Sequence, residues 1–217
     1  MYNLSILLFA MCSILFSGTI TGNVKIQLSE KGLKKKLNRT EIRAVKNEAV
    51  CGKIYKEHKL LEEKFIIDKD ANFKNVLVWL QGADYQGDPI EKPAFLEQQG
   101  CVYSPHVQGV MVGQKVLIKN SGGEQHNVNC KAKENHAFNF SMPAQLKEKD
   151  VVFTKPEEMI AMVCNVHGWM KSWITVFDHP YFSVTDDKGN YIIENVPNGK
   201  YKLIALHEYD ETNDGFR

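Results

Sequence analysis

The sequence has almost no excess of charge of either sign. Its 217 residues include 27 Lys and Arg and 26 Asp and Glu, which leaves a formal net charge of +1. Proteins that bind the phosphate backbone of nucleic acids usually carry a clear basic excess, so we expect no nucleic-acid partner. With 43% hydrophobic and 24% charged residues, the chain also lacks the composition of a disordered or collagen-like protein.

Long apolar runs are also scarce, and the one that stands out lies at the N-terminus. Residues 4–16 are almost all apolar and are followed by Ser17 and Gly18. The run is short for a membrane span and fits a secretory signal over residues 1–18, although no Lys or Arg precedes it. An uncleaved N-terminal anchor is the alternative, and it would be the chain's only contact with a membrane. We therefore expect an exported protein, periplasmic or extracellular, in which disulfides can form.

Cysteines are few, and their number is odd. Cys12 lies in the expected signal, which leaves four cysteines, too few for a disulfide scaffold. Cys51 and Cys101 each adjoin a glycine, and neither has a histidine at ligand spacing. We pair them as a disulfide that staples an N-terminal arm to the domain. Cys130 is then an odd thiol, interpreted as buried and inert, with a modified metal site or a different disulfide as alternatives.

Long segments with helical periodicity are missing, and short strand-like runs separated by turn residues take their place. Regularly spaced strands with Gly and Asn turns predict an all-β sandwich or barrel. After Pro180, alternating runs between Gly turns predict a small β-meander that packs on the preceding domain. The main predicted strands are Thr19–Leu28, Val76–Leu80, Val107–Ile118 around a Gly113 turn, Met159–Cys164 and Trp173–Phe177.

The chain divides into four segments on this basis. Residues 1–18 form the signal or anchor, residues 19–71 an N-terminal strand and basic arm, residues 72–178 the main β domain, and residues 179–217 the appended meander. The arm is basic over residues 31–53. We interpret it as a solvated connection, with a docking patch for an acidic partner around residues 34–43 as the alternative.

Four side chains form a candidate metal site. Cys164, His167 and Met170 lie within seven residues, after one predicted strand and before the next, and His126 follows a Gly-rich break far upstream. One thiolate, two imidazoles and a weak axial thioether select copper in a trigonal site. Zinc prefers Cys and His sets without Met, and hard cations prefer oxygen donors. We assign none of the other histidines to copper: His58, His106, His136, His179 and His207.

This pattern, His126-Asn127-Val128 followed by Cys164-x-x-His167-x-x-Met170, resembles the cupredoxins. The ligand loop is most similar to that of amicyanin and plastocyanin-like domains. The resemblance covers residues 73–177 and implies a Greek-key β-sandwich with one mononuclear type 1 copper. It implies His126 and His167 as imidazole ligands, Cys164 as the thiolate and Met170 as the weak axial ligand.

The resemblance has further implications for the surroundings of the metal. Asn127 would tie the two ligand loops together behind the ligands, and electrons would leave at His167, with Trp169 nearby. Gly168 departs from the short-loop pattern, which usually has Pro there, so the axial distance of Met170 is open. The tail after Pro180 resembles carboxypeptidase-regulatory-like β-modules, which are generally adhesive or structural.

The leading hypothesis is an exported electron-transfer protein that cycles between Cu(I) and Cu(II) and serves a redox partner protein. A copper carrier or storage protein and a non-metal β-sandwich for adhesion or glycan binding are the alternatives. We expect no enzyme, because no Ser/His/Asp triad, paired acid motif or phosphate loop stands out. The remaining enzymatic interpretation is a module of a larger copper oxidoreductase.

Overall fold

Short strands dominate the molecule. A computed structural model describes residues 17–208, so residues 1–16 of the expected signal and 209–217 of the expected tail lie outside the described range. The helices within that range are α1 (Glu30–Leu37), a 3-10 helix (Arg43–Asn47) and α2 (Cys51–Ile54). The strands are β1 (Ser17–Asn23), β2 (Leu77–Gln81), β3 (Ala94–Gln99), β4 (Val102–Ser104), β5 (Val107–Met111), β6 (Lys115–Asn120), β7 (His126–Cys130), β8 (Phe138–Met142), β9 (Glu148–Val152), β10 (Glu157–Val163), β11 (Lys171–Phe177), β12 (Phe182–Val184), β13 (Asn190–Pro197) and β14 (Lys202–Leu206).

Two sheets form a sandwich around the main core. One has the strand order β5-β11-β10-β7-β8 and the other the order β4-β3-β6-β9. Side chains alternate between buried and more exposed along β6, as expected for a strand with one face on a core. Leu96 and Ile118 from one sheet share a buried cluster with Val128 and Ile160 from the other. The all-β sandwich expected from the sequence is confirmed.

Crossover connections bring distant parts of the sequence together. β3 pairs in parallel with β6, and β5 pairs in parallel with β11. Parallel neighbours cannot be joined by a tight hairpin, so the chain crosses between the sheets. The same path makes β7 and β10 antiparallel neighbours, with Val163 opposite Asn129. The start of β7 therefore lies beside the loop that follows β10.

The strands after Pro180 pair differently from the expected meander. β12 and β14 lie on either side of β2, and β13 pairs with β1. β2 is buried from Leu77 to Leu80, so its backbone groups need partners at both edges. Glycine turns indicate where the chain reverses, but they do not specify which strand the returning segment joins. The tail strands therefore take their partners from the N-terminal half of the chain.

The N-terminal arm is mostly exposed, with a few buried positions that anchor it. α1 has no buried residue, and its Lys34 forms an exposed ion pair with Glu30. Val45 and Cys51, by contrast, are buried in the main core cluster. The arm therefore lies over the sandwich and is held there by a few side chains. No helix in the described part of the chain is long and apolar enough to cross a membrane.

Candidate metal centre

The strand pairing brings the predicted ligands to one end of the sandwich. His126 is the first residue of β7, and Cys164 directly follows β10. His167 and Met170 lie in the short loop that leads into β11. Because β7 and β10 are antiparallel neighbours, the beginning of one strand meets the end of the other. All four side chains are buried.

Three of these side chains converge on one point. The Nδ1 atoms of His126 and His167 are 3.1 Å apart, and Sγ of Cys164 is 3.9 Å from Nδ1 of His167. One ligand atom from each of the three residues lies within 4.8 Å of the others. Metal bonds of about 2.0 Å to nitrogen and 2.3 Å to sulfur place trigonal donors about 3.5 to 3.7 Å apart. The donors therefore fit a single ion.

Backbone hydrogen bonds shape the ligand loop. The N–H of His167 donates to Sγ of Cys164 at 3.4 Å. The N–H of Met170 donates to the carbonyl of His167 at 2.8 Å, and the N–H of Cys164 donates to the carbonyl of Met170 at 3.2 Å. The loop thus closes on itself. The hydrogen bond to Sγ also holds the sulfur at a fixed place in the loop, beside the ring of His167.

Both imidazoles are prepared for metal binding by their environment. Burial, together with the neighbouring His167, lowers the pKa of His126 to about 4. Burial also lowers the pKa of His167, while the carboxylates of Glu48 and Glu124 oppose that change. A neutral imidazole has the free lone pair that a metal ion requires. The two rings are therefore available as ligands at neutral pH.

Asn127 links the elements that carry the ligands. Its Oδ1 accepts a hydrogen bond from the N–H of Asn165 at 3.0 Å, and its Nδ2 donates to the carbonyl of Phe140 at 3.1 Å. Nδ2 of Asn129 donates to Oδ1 of Asn165 at 2.9 Å. Two side chains of β7 thus hold the loop after Cys164. Asn129 was not among the residues predicted from the sequence, although it lies two residues after Asn127 and its side chain therefore points to the same side of the strand.

The disulfide lies directly against the site. Cys51 and Cys101 are bonded, with an S–S distance of 2.06 Å, so the disulfide expected from the sequence is present. Sγ of Cys51 is 3.6 Å from Nε2 of His167. Nε1 of Trp169 donates to the carbonyl of Cys101 at 2.9 Å. Sequence spacing suggested the pairing but held no signal for this position beside a candidate ligand.

The structure covers the ring of His167, where we expect electrons to leave. His167 is only 5% exposed, because the disulfide covers its Nε2 edge. Trp169 is half-buried, and its ring centroid lies 5.2 Å from that of His167. The disulfide of the N-terminal arm therefore covers the Nε2 edge of His167, and the electron exit at this residue stays a prediction.

Met170 and Cys130 are both buried in the main core cluster, which also holds Cys164. Met170 is 1% exposed, and its axial role stays a prediction. Cys130 is a free thiol, and burial raises its pKa. It is not part of the His126, Cys164 and His167 group, which is the one group of three or more metal-binding His, Cys, Asp or Glu side chains within residues 17–208.

His106 and His207 lie in other surroundings, outside the candidate site. His106 pairs with the buried carboxylate of Glu208, which also accepts a hydrogen bond from Nε1 of Trp173 at 2.6 Å. His207 packs against the ring of Phe73, with a centroid distance of 4.2 Å. These contacts connect the end of the described chain to the sandwich.

No protein-family model matches this chain, and no curated protein matches it. A copper-containing nitrite reductase (NirK) from Thermus scotoductus SA-01 matches 46% of the chain at 22% identity, with a TM-score of 0.36. The match spans only 26% of that reductase. A purple cupredoxin from Nitrosopumilus maritimus matches 39% of this chain and 99% of its own, at 20% identity and a TM-score of 0.33. An amicyanin variant in the Cu(I) form matches 46% of this chain and 98% of its own, at 16% identity and a TM-score of 0.35.

At these TM-scores the matches carry no argument about this chain. Its own strands and side chains define an all-β sandwich with a buried cluster of two imidazoles and one thiol at one end.

Proposed function

We propose that this chain is an exported type 1 copper protein that transfers electrons by cycling between Cu(I) and Cu(II). The observation that carries the proposal is the convergence of His126, Cys164 and His167 within 4.8 Å in a buried site. Burying a polar side chain costs free energy unless it binds a hydrogen-bonding partner or a metal ion. A metal ion would be that partner for all three.

The chemistry of the donors favours copper. A thiolate with two imidazoles is the in-plane set of a blue-copper site, and a weak, long thioether bond completes it. Met170 would supply the thioether. A structural zinc site would need a fourth strong donor, and within the described residues the cluster offers three His and Cys side chains.

The chain's own residues would keep the site nearly unchanged between oxidation states. Copper, when bound, supplies a one-electron couple. The loop hydrogen bonds and the Asn127 contact to Asn165 hold the donors in place, and burial keeps both rings in the neutral form rather than the imidazolium form. Donors that are held in advance move little when the charge of the site changes, which favours fast electron transfer.

Export and a redox partner protein belong to the same proposal. The Cys51–Cys101 disulfide is typical of an oxidising compartment, periplasmic or extracellular. The proposed role is electron carriage and not catalysis. The basic arm around residues 34–43 is the proposed docking face for an acidic partner, since it is the chain's local concentration of positive charge.

Metal analysis with optical and EPR spectra of the copper-loaded protein tests the proposal. We expect one copper per chain, an intense thiolate-to-Cu(II) absorption in the visible and an EPR signal typical of type 1 copper. Absence of stoichiometric copper after loading, or a spectrum without the thiolate absorption, would overturn it.

A copper carrier or storage protein is the second candidate. The observation that favours it is the covered edge of His167, which is 5% exposed, because a closed site holds a metal well but limits contact with a redox partner. Redox titration separates the two functions. An electron-transfer protein gives a reversible one-electron couple at an accessible potential, whereas a carrier holds Cu(I) without such turnover.

A further inference from the structure

The Cys51–Cys101 disulfide, which ties the N-terminal arm to the sandwich, contacts the Nε2 side of the His167 ring. Sγ of Cys51 lies 3.6 Å from Nε2 of His167. Both cysteines of the disulfide are buried, with Cys51 1% and Cys101 0% exposed. The contact is therefore shielded from water.

Several hydrogen bonds fix the disulfide in this position. The hydroxyl of Tyr55, just after α2, donates to the carbonyl of Gly100 at 2.8 Å. The indole of Trp169, in the ligand loop, donates to the carbonyl of Cys101 at 2.9 Å. The arm, the β3–β4 turn and the ligand loop thus meet at the disulfide.

The two nitrogens of His167 face different partners. Nδ1 faces His126 and Cys164, at 3.1 Å and 3.9 Å, whereas Nε2 faces the disulfide sulfur. Sulfur in a disulfide has no hydrogen and can only accept a weak hydrogen bond. The contact therefore favours a proton on Nε2, which leaves the lone pair on Nδ1, the atom directed at the other donors.

We propose that the Cys51–Cys101 disulfide is a positioning element of the metal centre. It selects the tautomer of His167 with hydrogen on Nε2, holds the ring with Nδ1 toward Cys164, and closes the ring's outer edge to solvent and chelators. The part of this inference that concerns copper rests on the proposed function. The part that concerns the ring of His167 holds for the metal-free protein as well.

The first experiment uses the full-length, metal-free protein with ¹⁵N-labelled histidine. NMR spectra at pH 7, with His167 assigned through His167→Gln, report its tautomer and the exchange of its ring proton. We expect hydrogen on Nε2 with exchange at least about tenfold slower than for an exposed imidazole. A ring with hydrogen on Nδ1, or with unprotected exchange, would overturn the proposal whatever the metal.

The second experiment compares Cys51→Ala/Cys101→Ala with Cys130→Ala, which removes a buried sulfur outside the metal cluster. Partners that orient ligands typically change metal affinity by about 10-fold to 100-fold. We expect the double variant to bind Cu(I) more weakly by that factor and to lose it faster to a bidentate Cu(I) chelator, and Cys130→Ala to retain the parent affinity. Equal affinity and release in the double variant and the parent would contradict the proposal.

The outcomes also separate this inference from the proposed function. If the parent protein binds no copper, the proposed function fails, and the NMR measurement still decides the role of the disulfide. If the double variant does not fold, the NMR measurement on the parent protein decides as well.

Discussion

Nδ1 of His126 lies 3.1 Å from Nδ1 of His167, although the residues are 41 positions apart in the sequence. At this distance in the metal-free protein, one of the two nitrogens carries a proton and donates a hydrogen bond to the other. A metal ion would take the place of that proton and bind both lone pairs. Two ligands are therefore held near their binding positions before any metal arrives.

The axial role of Met170 can be tested with Met170→Leu. Leucine conserves the volume of the side chain, so the fold should lose less than about 1.5 kcal/mol. Removing a weak thioether donor destabilises Cu(II) more than Cu(I), so we expect the reduction potential to rise. Voltammetry measures this change. Met162→Leu, at a buried position in β10, is the control, and equal potentials in the two variants would identify Met170 as an ordinary core residue.

The Asn127 side chain should contribute to both stability and metal affinity. Asn127→Ala leaves the N–H of Asn165 without its partner and removes the donor to Phe140. We expect a loss of about 1–3 kcal/mol in the free energy of unfolding, measured with urea. We also expect metal binding to weaken by about tenfold or more. Asn139→Ala removes only the exposed partner of Asn127 and should change both quantities little; an equal effect would argue against the linking role.

Gly168 should tolerate a side chain. A Cβ atom built at this position meets no atom within 4 Å. Gly168→Ala should therefore stabilise the protein by about 0.4–1 kcal/mol, because it restricts the unfolded chain. Gly189→Ala is the contrast, since Gly189 has φ +71° and its Cβ would lie 2.5 Å from the carbonyl oxygen of Val24. That variant should be destabilised, and thermal or urea unfolding compares the two. A destabilised Gly168→Ala would mean that the loop needs the freedom of glycine.

Stability of the metal-free protein should fall in mild acid. Burial lowers the pKa of His207 from 6.5 to about 4. Between these values the unfolded chain binds more protons than the folded one, so lowering the pH favours unfolding. The contribution of His207 is fully present above about pH 6.5 and is lost below about pH 4, with a magnitude on the order of 3 kcal/mol.

Urea unfolding at a series of pH values checks this prediction. His207→Phe should flatten the pH dependence without removing it, because the pKa of His126 is also lowered to about 4. Phenylalanine suits the site, since His207 already packs against the ring of Phe73. An unchanged slope in the variant would contradict the prediction.

The strands of the sandwich could be located from the sequence because their signal is local. The predicted strand Val76–Leu80 corresponds to β2 at Leu77–Gln81, and Trp173–Phe177 falls within β11. Runs of β-branched and aromatic residues suit a pleated, half-buried surface wherever they occur. The partners of the tail strands could not be predicted in the same way, because pairing depends on which edges of β2 and β1 the rest of the fold leaves open.

The candidate site also has one part that could be predicted from the sequence and one part that could not. The spacing from Cys164 to Met170 placed three donors in one loop, and the structure brings His126 to them through the pairing of β7 with β10. The covered edge of His167 was not predictable. A disulfide prediction states that Cys51 meets Cys101, but the path of the arm decides what lies beside the bond.

The visible spectrum of the copper-loaded protein shows whether Cys164 binds the metal through its sulfur. Cys164→Ser and Cys130→Ser each replace one buried free thiol by a hydroxyl. The two variants therefore carry the same chemical change at different positions. We expect the Cu(II)-loaded parent protein and Cys130→Ser to share an intense visible absorption that Cys164→Ser lacks. The same absorption in Cys164→Ser as in the parent protein, or none in any of the three, would show that Cys164 is not a copper ligand.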